Sequence, residues 1–394
     1  MRIHLPPILF KLRGFYLFTG LAGGLLNPYI STIFLHGGLA PDEVGLVMSC
    51  SSLLIIGAQL AWGRLADRYQ MTKCILILSM AVPAAMSMLY QTSAIPVLIV
   101  SYLTAIIFTS PQAPIGDAYA VTAAREAGSS YGAVRSFQSL GNAAGGYLAG
   151  WFVSNYAPNL LGLPFLLFSC LGIGTVLTFP RRAAVAYTGK SFFSGVGGLL
   201  KSRKFLWFLG ACLLINQTLT AFNTYFVMMF QMSGGSYEWS GIALMIAAAS
   251  NVPSMFLAAA IIRRIGFEKT MLFAALAYIV RWGIQYAFPY PSAMVAVQLL
   301  QGLSFGLFYV AAVEYVVQLV PRNMQATGQS LFNVVFVGIA GMAGNLLNGT
   351  LLEAGGPAAM NLACTISAAG GALLLIAIVR GDRGARASVT GAAH

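Results

Sequence analysis

Charge is scarce in this sequence: Asp, Glu, Lys and Arg together make up 8% of its 394 residues. A typical soluble protein carries about 25% charged residues, and a soluble fold of this size could not cover its surface with so few. Hydrophobic residues make up 58%, and the mean hydropathy is +0.79. These values exclude a soluble, disordered or coiled-coil chain and indicate an integral protein of the lipid bilayer.

Histidine and cysteine are rare as well. The three histidines lie in terminal tails or in a loop, and the five cysteines lie far apart, mostly in apolar stretches. No C-x-x-C pair or Cys/His cluster occurs, so neither a disulfide nor a metal site is indicated. A Walker loop is also missing, which excludes ATP as the energy source. We therefore expect no metal and no cofactor.

Acidic residues are outnumbered, with 10 Asp and Glu against 22 Lys and Arg. Twenty of the basic residues lie in the tails and loops on one side of the predicted membrane. The loops on the other side carry only Asp42, Glu43, Glu238 and Glu353. Because basic loops stay on the cytoplasmic side, both termini are predicted to be cytoplasmic, in an inner (plasma) membrane. The net charge of +12 therefore does not indicate a nucleic acid partner.

Apolar stretches bounded by charge, glycine or proline predict twelve transmembrane helices of the length that a bilayer requires. Their limits are 12–35, 43–64, 74–92, 96–121, 132–156, 161–180, 205–232, 239–262, 270–288, 292–320, 325–352 and 357–380. The longest connection, 181–204, is basic and rich in Gly and Ser. The predicted fold is all-α, with a six-helix bundle at 1–180, a cytoplasmic linker at 181–204, a second six-helix bundle at 205–380 and a cytoplasmic tail at 381–394.

An internal repeat supports the division into two bundles. A shift of 196 residues pairs Asn27 with Asn223 and Tyr29 with Tyr225, and the same shift holds across most of one half. A parallel repeat of six helices, related by an axis along the membrane normal, is typical of transporters.

The loop between the second and third spans reads GRLADRYQMTK, and a degenerate copy between the eighth and ninth spans reads RRIGFEK. Together they resemble the signature of the major facilitator superfamily, although the glycine usual at Gln70 is absent. This resemblance covers nearly the whole chain and implies a carrier that works by alternating access. It implies a cytoplasmic gate formed by Asp67, Arg68, Lys73, Arg263, Arg264 and Lys269.

A narrower resemblance is to the lactose-permease-like oligosaccharide/proton symporters. Asp117, in the sequence PIGD, and Arg135 resemble the carboxylate–arginine pair of that group, and Arg281, in YIVRW, resembles the arginine of its ninth span. The stretch GLSFGLFY in the tenth span is similar to the phenylpropionate-permease branch. Where the lactose permease carries a histidine and a glutamate, this chain has Gln301 and Ser304, a departure from its galactoside specificity and its proton relay.

Four charged side chains lie well inside the predicted spans, away from their ends: Asp117, Arg135, Arg281 and Glu314. Such residues are costly in a bilayer and usually face a cavity or a partner. Asp117 and Arg135 form either a solute-binding pair or a salt bridge that ties two helices together. Arg281 either binds the solute or neutralises Glu314. Glu314 is either a coupling acid or the partner of the basic gating motif.

A proton that drives transport must be carried by Glu314 or Asp117, because the spans contain no histidine or lysine. Burial favours the protonated carboxyl and a nearby arginine opposes it. We therefore expect Arg281 to control the protonation of the coupling acid.

Polar stripes on membrane helices must face protein or water, because lipid forms no hydrogen bonds. The fifth span carries such a stripe, which includes Arg135, Gln138 and Asn142. For amide side chains, hydrogen bonding between helices is the alternative to solute binding. The predicted solute-binding residues are Asn27, Asp117, Arg135, Gln138, Asn142, Asn223, Tyr225, Arg281 and Gln301.

The sequence thus predicts a monomeric secondary transporter that imports a small polar organic solute with protons. A sugar, a nucleoside and an aromatic acid all suit the predicted residues. Proton-driven efflux of drugs or metabolites is the alternative, and the missing Gly-Pro element in the fifth span argues against it. An intramembrane enzyme or a receptor is a third possibility. The stretch GLSFG matches the G-x-S-x-G pattern of hydrolases, but it lies in a membrane helix with no histidine nearby.

Overall fold

The computed structural model of the chain describes residues 7–69, 71–92, 94–129, 131–180, 196–321 and 324–391. Within these ranges the side chains of residues 67, 196–197, 326 and 382–391 are not described. Residues 181–195 of the predicted linker, the end of the predicted tail and the side chain of the gating candidate Asp67 therefore lie outside the described part of the chain.

The described residues form helices almost throughout, and no strand occurs among them. The α-helices are α1 (Pro7–Leu26), α2 (Ile30–His36), α3 (Pro41–Tyr69), α4 (Thr72–Ser87), α5 (Ile95–Thr109), α6 (Gln112–Glu126), α7 (Tyr131–Asn155), α8 (Gly162–Leu177), α9 (Val196–Leu199), α10 (Arg203–Thr220), α11 (Phe226–Met232), α12 (Tyr237–Ile265), α13 (Phe267–Ala287), α14 (Pro291–Ala296), α15 (Leu307–Leu319), α16 (Gln325–Asn333) and α17 (Ala340–Gly391).

Short segments of other helical geometry interrupt or join these α-helices. The 3₁₀ segments are Asn27–Tyr29, Met88–Gln91, Pro158–Leu161 and Val297–Leu300. The π-helical segments are Ala221–Tyr225, Gly302–Gly306 and Val334–Ile339. The predicted spans therefore contain 3₁₀ and π segments, which the apolar pattern of the sequence does not reveal.

Nine helical segments of the described chain are long and apolar enough to cross a bilayer. Two further long helices, α7 and α13, carry Arg135 and Arg281, which lower their hydropathy. The last of the nine segments, Thr327–Gly381, is 55 residues long and is broken at Gly356, where φ is +62°. When this segment is divided at the break, the described helices agree with a multi-pass membrane protein of twelve spans, which is the predicted fold class.

The internal repeat is visible in the helix boundaries. A shift of 196 residues moves α2 onto α11 and α3 onto α12, with both ends of each helix coinciding. The turns that follow α2 and α11 use Gly38 and Gly234, which are related by the same shift and have φ values of +99° and +83°. Only glycine adopts such values readily, so the repeat extends to the backbone of these turns.

Each half of the chain packs mainly within itself. In the first half α1 lies against α7 and α8, and in the second half α10 and α13 lie against α17. The halves meet where α7 packs on α12 and where α3 packs on α17. This packing supports the division at 181–204, which remains a prediction.

Glycines allow the helix backbones of the two halves to touch. A Cβ atom added at Gly150 of α7 would lie 2.7 Å from the Cα atom of Gly241 in α12. A Cβ atom added at Gly349 of α17 would lie 3.1 Å from the Cα atom of Gly45 in α3. Small residues favour this kind of close approach in membranes.

The halves are joined at one end of the helices, the end that holds the turns after α2 and α11. The Tyr29 and Ser240 hydroxyl groups lie 3.1 Å apart, and Ser31 donates a hydrogen bond to the Thr224 carbonyl. Ser49 of α3 donates to the Met342 carbonyl at 2.8 Å. Within the described ranges, the hydrogen bonds that join side chains of one half to the other half each involve a residue between 29 and 52.

The opposite ends of the helices make fewer contacts between the two halves. No described atom lies within 4 Å of a Cβ atom added at Gly63 of α3 or at Gly132 of α7. Helices α15 and α16 pack mainly against elements of their own half. The structure is therefore closed at the end predicted to face outward and open at the end predicted to face the cytoplasm.

We predict that Gly150→Ala opens the closed end. The added Cβ atom would meet the backbone of α12 at 2.6 to 2.9 Å, and such overpacking costs about 1–3 kcal/mol. Because ~1.4 kcal/mol is a factor of ten in an equilibrium constant, the open population should rise about tenfold. The measurement is the rate at which an impermeant maleimide, added on the closed side, labels an Asn223→Cys reporter after the exposed cysteines are replaced by serine.

Gly174→Ala is the matched control, because nothing lies within 4 Å of the added Cβ atom in α8. Its labelling rate should equal that of the unmodified chain. Equal rates in both variants would show that the glycine contact does not hold this end closed.

Candidate solute-binding site

A cavity of about 600 Å³ lies between the two halves and is lined by residues of both. Small-molecule sites typically enclose about 300–1,000 Å³. None of its described lining residues carries a charge. The amide side chains that line it are Asn27, Gln112, Gln138, Asn142, Asn223, Asn251 and Gln301. The aromatic side chains that line it are Tyr90, Tyr102, Phe165, Phe168, Phe222 and Phe305.

Five of the nine predicted solute-binding residues line this cavity: Asn27, Gln138, Asn142, Asn223 and Gln301. The other four, Asp117, Arg135, Tyr225 and Arg281, do not. The amides predicted from polar positions in apolar spans are thus brought together, whereas the ionisable candidates lie elsewhere.

The amides of the first half converge on the face between α1 and α7. A Cβ atom added at Gly23 would lie 3.5 Å from both the Asn142 Oδ1 atom and the Asn27 Nδ2 atom. The backbones of the two helices touch nearby, because a Cβ atom added at Gly24 would lie 2.3 Å from the Asn142 carbonyl oxygen. Glycine in α1 therefore lets α7 present its polar stripe to the cavity.

Non-α segments place the polar groups of both halves. Asn27 begins a 3₁₀ segment, and its repeat mate Asn223 lies in the π segment Ala221–Tyr225. The two segments contact each other. π-helical turns are frequent at functional sites, and here one of them exposes Asn223 to the cavity while its neighbours stay buried.

The GLSFG stretch is a packing element. It forms the π segment Gly302–Gly306, and the backbone N–H of Gly302 donates a hydrogen bond to the Ser250 hydroxyl at 2.9 Å. A Cβ atom added at Gly302 would lie 2.0 Å from the Ser250 carbonyl oxygen. Gly302 therefore permits close contact with α12. The stretch has a packing role, and this role does not require Ser304 to act as a nucleophile.

Asp117 and Arg135 form an ion pair beside the cavity. The Arg135 Nε atom lies 3.6 Å from the Asp117 Oδ1 atom, and the side chains are 35% and 31% exposed. Tyr16 donates a hydrogen bond to the same oxygen at 2.7 Å, and the Arg135 guanidinium lies 5.3 Å from the centre of the Tyr16 ring. The pair therefore joins α6, α7 and α1 and remains partly accessible.

Tyr225 belongs to the joint between the halves. Its hydroxyl donates to the Asn345 carbonyl at 2.8 Å, and the side chain is fully buried. A Cβ atom added at Gly45 or at Gly349 would lie 2.9 Å from this hydroxyl oxygen. Tyr225 thus fills the space where α3 and α17 touch, near the closed end.

Arg281 is completely buried and has no acidic partner among the described residues. Its Nη2 atom donates to the Gln298 Oε1 atom at 2.6 Å, while Nε and Nη1 have no partner. The guanidinium lies 4.4 Å from the centre of the Phe222 ring and 5.4 Å from that of Trp282. A cation over an aromatic face gains ~2 kcal/mol when desolvated, but burying an unpaired charge costs several kcal/mol. The ring contacts therefore offset only part of the cost of burying this charge.

Glu314 lies on an exposed face of α15 and makes no ion pair with another described residue. It therefore contacts neither Arg281 nor the basic gating motif in this conformation. No contact in this structure supports the prediction that Arg281 controls the protonation of Glu314.

The gating candidates are exposed at the open end. Arg263, Arg264 and Lys269 are exposed, and the Arg68 guanidinium lies 5.4 Å from the centre of the neighbouring Tyr69 ring. Lys73 differs, because it donates a hydrogen bond to the Phe179 carbonyl at 3.2 Å and so holds α4 against the end of α8.

The sequence analysis missed other lining residues, among them Gln112, Asn251 and Phe222. Gln112 and Asn251 are amides in apolar helices, the same signal that identified Asn223, and that signal could have found them. Phe222 is an ordinary apolar residue of a membrane helix, and no pattern in the sequence marks it.

Metal-binding groups are scattered. No group of three or more His, Cys, Asp or Glu side chains that could hold a metal ion occurs among the described residues. The cysteines are free, with Cys212 and Cys364 buried and Cys50, Cys74 and Cys170 exposed.

Known proteins share both the sequence and the fold. A family model described as "MFS_1 like family" matches residues 9–362. The maltose permease of Geobacillus stearothermophilus is 29% identical over 372 residues, which cover 94% of each chain. The probable 3-phenylpropionic acid transporter of Escherichia coli is 24% identical over 300 residues, which cover 74% of this chain and 78% of the relative.

A solved structure has the same fold. The crystal structure of the nucleoside transporter NupG superposes with a TM-score of 0.79 at 16% identity. The match covers 95% of this chain and 99% of that chain.

We predict that the Asp117–Arg135 pair contributes little to stability. Partly exposed ion pairs are worth about 0–1 kcal/mol, so Arg135→Gln should lower the free energy of unfolding by less than ~1 kcal/mol. The double variant with Asp117→Asn should be equally stable. The measurement is thermal unfolding of the purified protein in detergent.

Tyr225→Phe is the reference for a buried contact. It leaves the Asn345 carbonyl without its hydroxyl donor, and such a loss costs about 1–3 kcal/mol. If Arg135→Gln is more damaging than Tyr225→Phe and the added Asp117→Asn change restores stability, the pair is a structural strut.

Proposed function

The chain belongs to the MFS_1 like family and is a multi-pass membrane transporter, not an enzyme, and from this premise we propose that it imports a small polar organic solute with protons. The solute binds in the cavity between the two halves. Alternating access follows when the closed end opens and the open end closes around the bound solute.

The observation that carries this proposal is the cavity itself. Both halves contribute amide groups to it, and amides donate and accept hydrogen bonds without imposing a charge on the ligand. The aromatic rings supply apolar faces for the ring or carbon skeleton of a solute. Sugars, nucleosides and aromatic acids combine these features, and the names of the maltose permease, the 3-phenylpropionic acid transporter and NupG include one of each class.

We place the coupling proton on a carboxylate, with Glu314 favoured over Asp117. The Asp117 carboxylate already accepts a hydrogen bond from Tyr16 and faces Arg135, so it is held by two protein partners. Glu314 has no such partner among the described residues.

The gate belongs to the same proposal. Asp67, Arg68, Lys73, Arg263, Arg264 and Lys269 would draw the two halves together at the open end. Both termini would then lie in the cytoplasm, at the inner membrane, and the protein would act as a monomer. The six-helix bundles at 1–180 and 205–380 would move as the two bodies.

We predict that Glu314→Gln abolishes uphill uptake but spares exchange. Vesicles with an alkaline interior are given labelled maltose, a nucleoside or 3-phenylpropionate, and accumulation and counterflow are measured for each. Neutralising the coupling acid stops accumulation, because no proton is carried. Counterflow continues, because exchange needs no net proton movement.

Asp117→Asn is the competing variant, and Glu353→Gln is the control because Glu353 is another exposed acid. If both Glu314→Gln and Asp117→Asn still accumulate solute in response to the pH gradient, coupling through these carboxylates is refuted. Solute loss from loaded vesicles driven by an inward proton gradient would identify efflux instead.

A further inference from the structure

A second recognition element lies directly behind the wall of the cavity. Phe222 lines the cavity, and the Arg281 guanidinium lies over the same ring, with its central carbon 4.4 Å from the ring centre. Arg281 itself does not line the cavity and is 0% exposed. One aromatic side chain thus separates the uncharged cavity from a buried cation.

Among the described residues, the Arg281 guanidinium has no anionic partner and too few hydrogen-bond acceptors. Its Nε and Nη1 atoms have no acceptor, and Gln298 accepts from Nη2 alone. The titratable groups that bear on it electrostatically are Tyr278 and Cys364, and neither side chain is normally charged at neutral pH. The described ion pairs lie elsewhere, between Asp117 and Arg135 and between Glu268 and Lys204.

We propose that Arg281 and Gln298 form a buried subsite for a monovalent anionic group, and that Phe222 covers this subsite when it is empty. The group is a carboxylate of the transported solute or a free halide ion. Arginine suits either, because its planar guanidinium directs several N–H donors at one acceptor. This inference rests on the proposed function only in taking the cavity as the route by which the ligand enters.

The position of Phe222 allows it to act as a cover. It lies in the π segment Ala221–Tyr225, where the regular hydrogen-bond pattern of the helix is interrupted and side chains change direction. When its ring turns aside, the unpaired N–H groups of Arg281 face the cavity. An anionic group then replaces the ring over the guanidinium and gives the buried charge a counterion.

The experiment measures binding to the purified full-length protein by thermal unfolding. One arm titrates sodium bromide at constant ionic strength. The second arm compares two carboxylates with neutral analogues of the same skeleton, 3-phenylpropionate with 3-phenylpropanol and glucuronate with glucose. A shift with bromide identifies a free-ion site, and a shift with a carboxylate but not with its neutral analogue identifies the solute as the source.

Arg281→Gln should abolish the anion-dependent shift, whereas Arg203→Gln should keep it. Arg203 is a matched control, because its guanidinium also lies 5.4 Å from a tryptophan ring, that of Trp207, but the side chain is exposed. Phe222→Leu leaves Arg281 in place and removes the ring that competes with the anion for the guanidinium, so the anion should bind at least about fivefold more tightly. This variant keeps the test decisive if Arg281→Gln does not fold.

The proposal is overturned if neither bromide nor a carboxylate stabilises the protein, if Arg281→Gln responds as the unmodified chain does, or if Phe222→Leu leaves the affinity unchanged. Its failure is distinguishable from failure of the proposed import. A protein that binds the anion through Arg281 but accumulates nothing refutes proton-coupled import alone. A protein that accumulates a solute without Arg281-dependent binding refutes the anion subsite alone.

Discussion

The inability of lipid to form hydrogen bonds determines where polar side chains can lie in this protein. An amide facing hydrocarbon would lose its water partners without replacement, so polar residues of the apolar helices turn toward a cavity, another helix or the cytoplasmic surface. Asn27, Asn142 and Asn223 turn toward the cavity, while Gln217 donates a hydrogen bond to the Asn348 Oδ1 atom at 2.9 Å inside the second half. The same constraint makes the uncompensated Arg281 unusual.

Close contact between helix backbones at glycine residues is a second feature on which the joint between the halves depends. Helices held by interlocked large side chains separate only with extensive repacking, whereas the α7–α12 contact at Gly150 and Gly241 is made largely by backbone atoms. Few side chains need to change rotamer when this contact opens. The closed end can therefore be stable enough to seal the cavity and still open during a transport cycle, as alternating access requires.

Sequence analysis identified the fold and most of the amide lining, because both follow from polarity along the chain. Asn27 and Asn223, which the repeat offset pairs, both line the cavity. The ionisable residues were harder, because a charge inside a span indicates a partner or a cavity without saying which. Irregular segments add to this difficulty. The π turn at Ala221–Tyr225 changes which residues share a face, so Asn223 faces the cavity while Tyr225 seals a helix contact.

The charges inside the membrane helices have no counterpart in the other half of the chain. Under the 196-residue shift, Arg281 corresponds to Ala85, Arg135 to Leu331 and Glu314 to Ala118. The symmetric features are the Asn27 and Asn223 pair, the turns after α2 and α11, and the contacts that α3 and α12 make with the other half. Each charged group occurs in one half only, so it cannot be required by the rocking of two equivalent bodies. Its cost in the bilayer is better explained by the chemistry of what is carried than by the scaffold, and this argument supports the proposed part of Asp117, Arg135, Glu314 and Arg281 in solute and ion recognition.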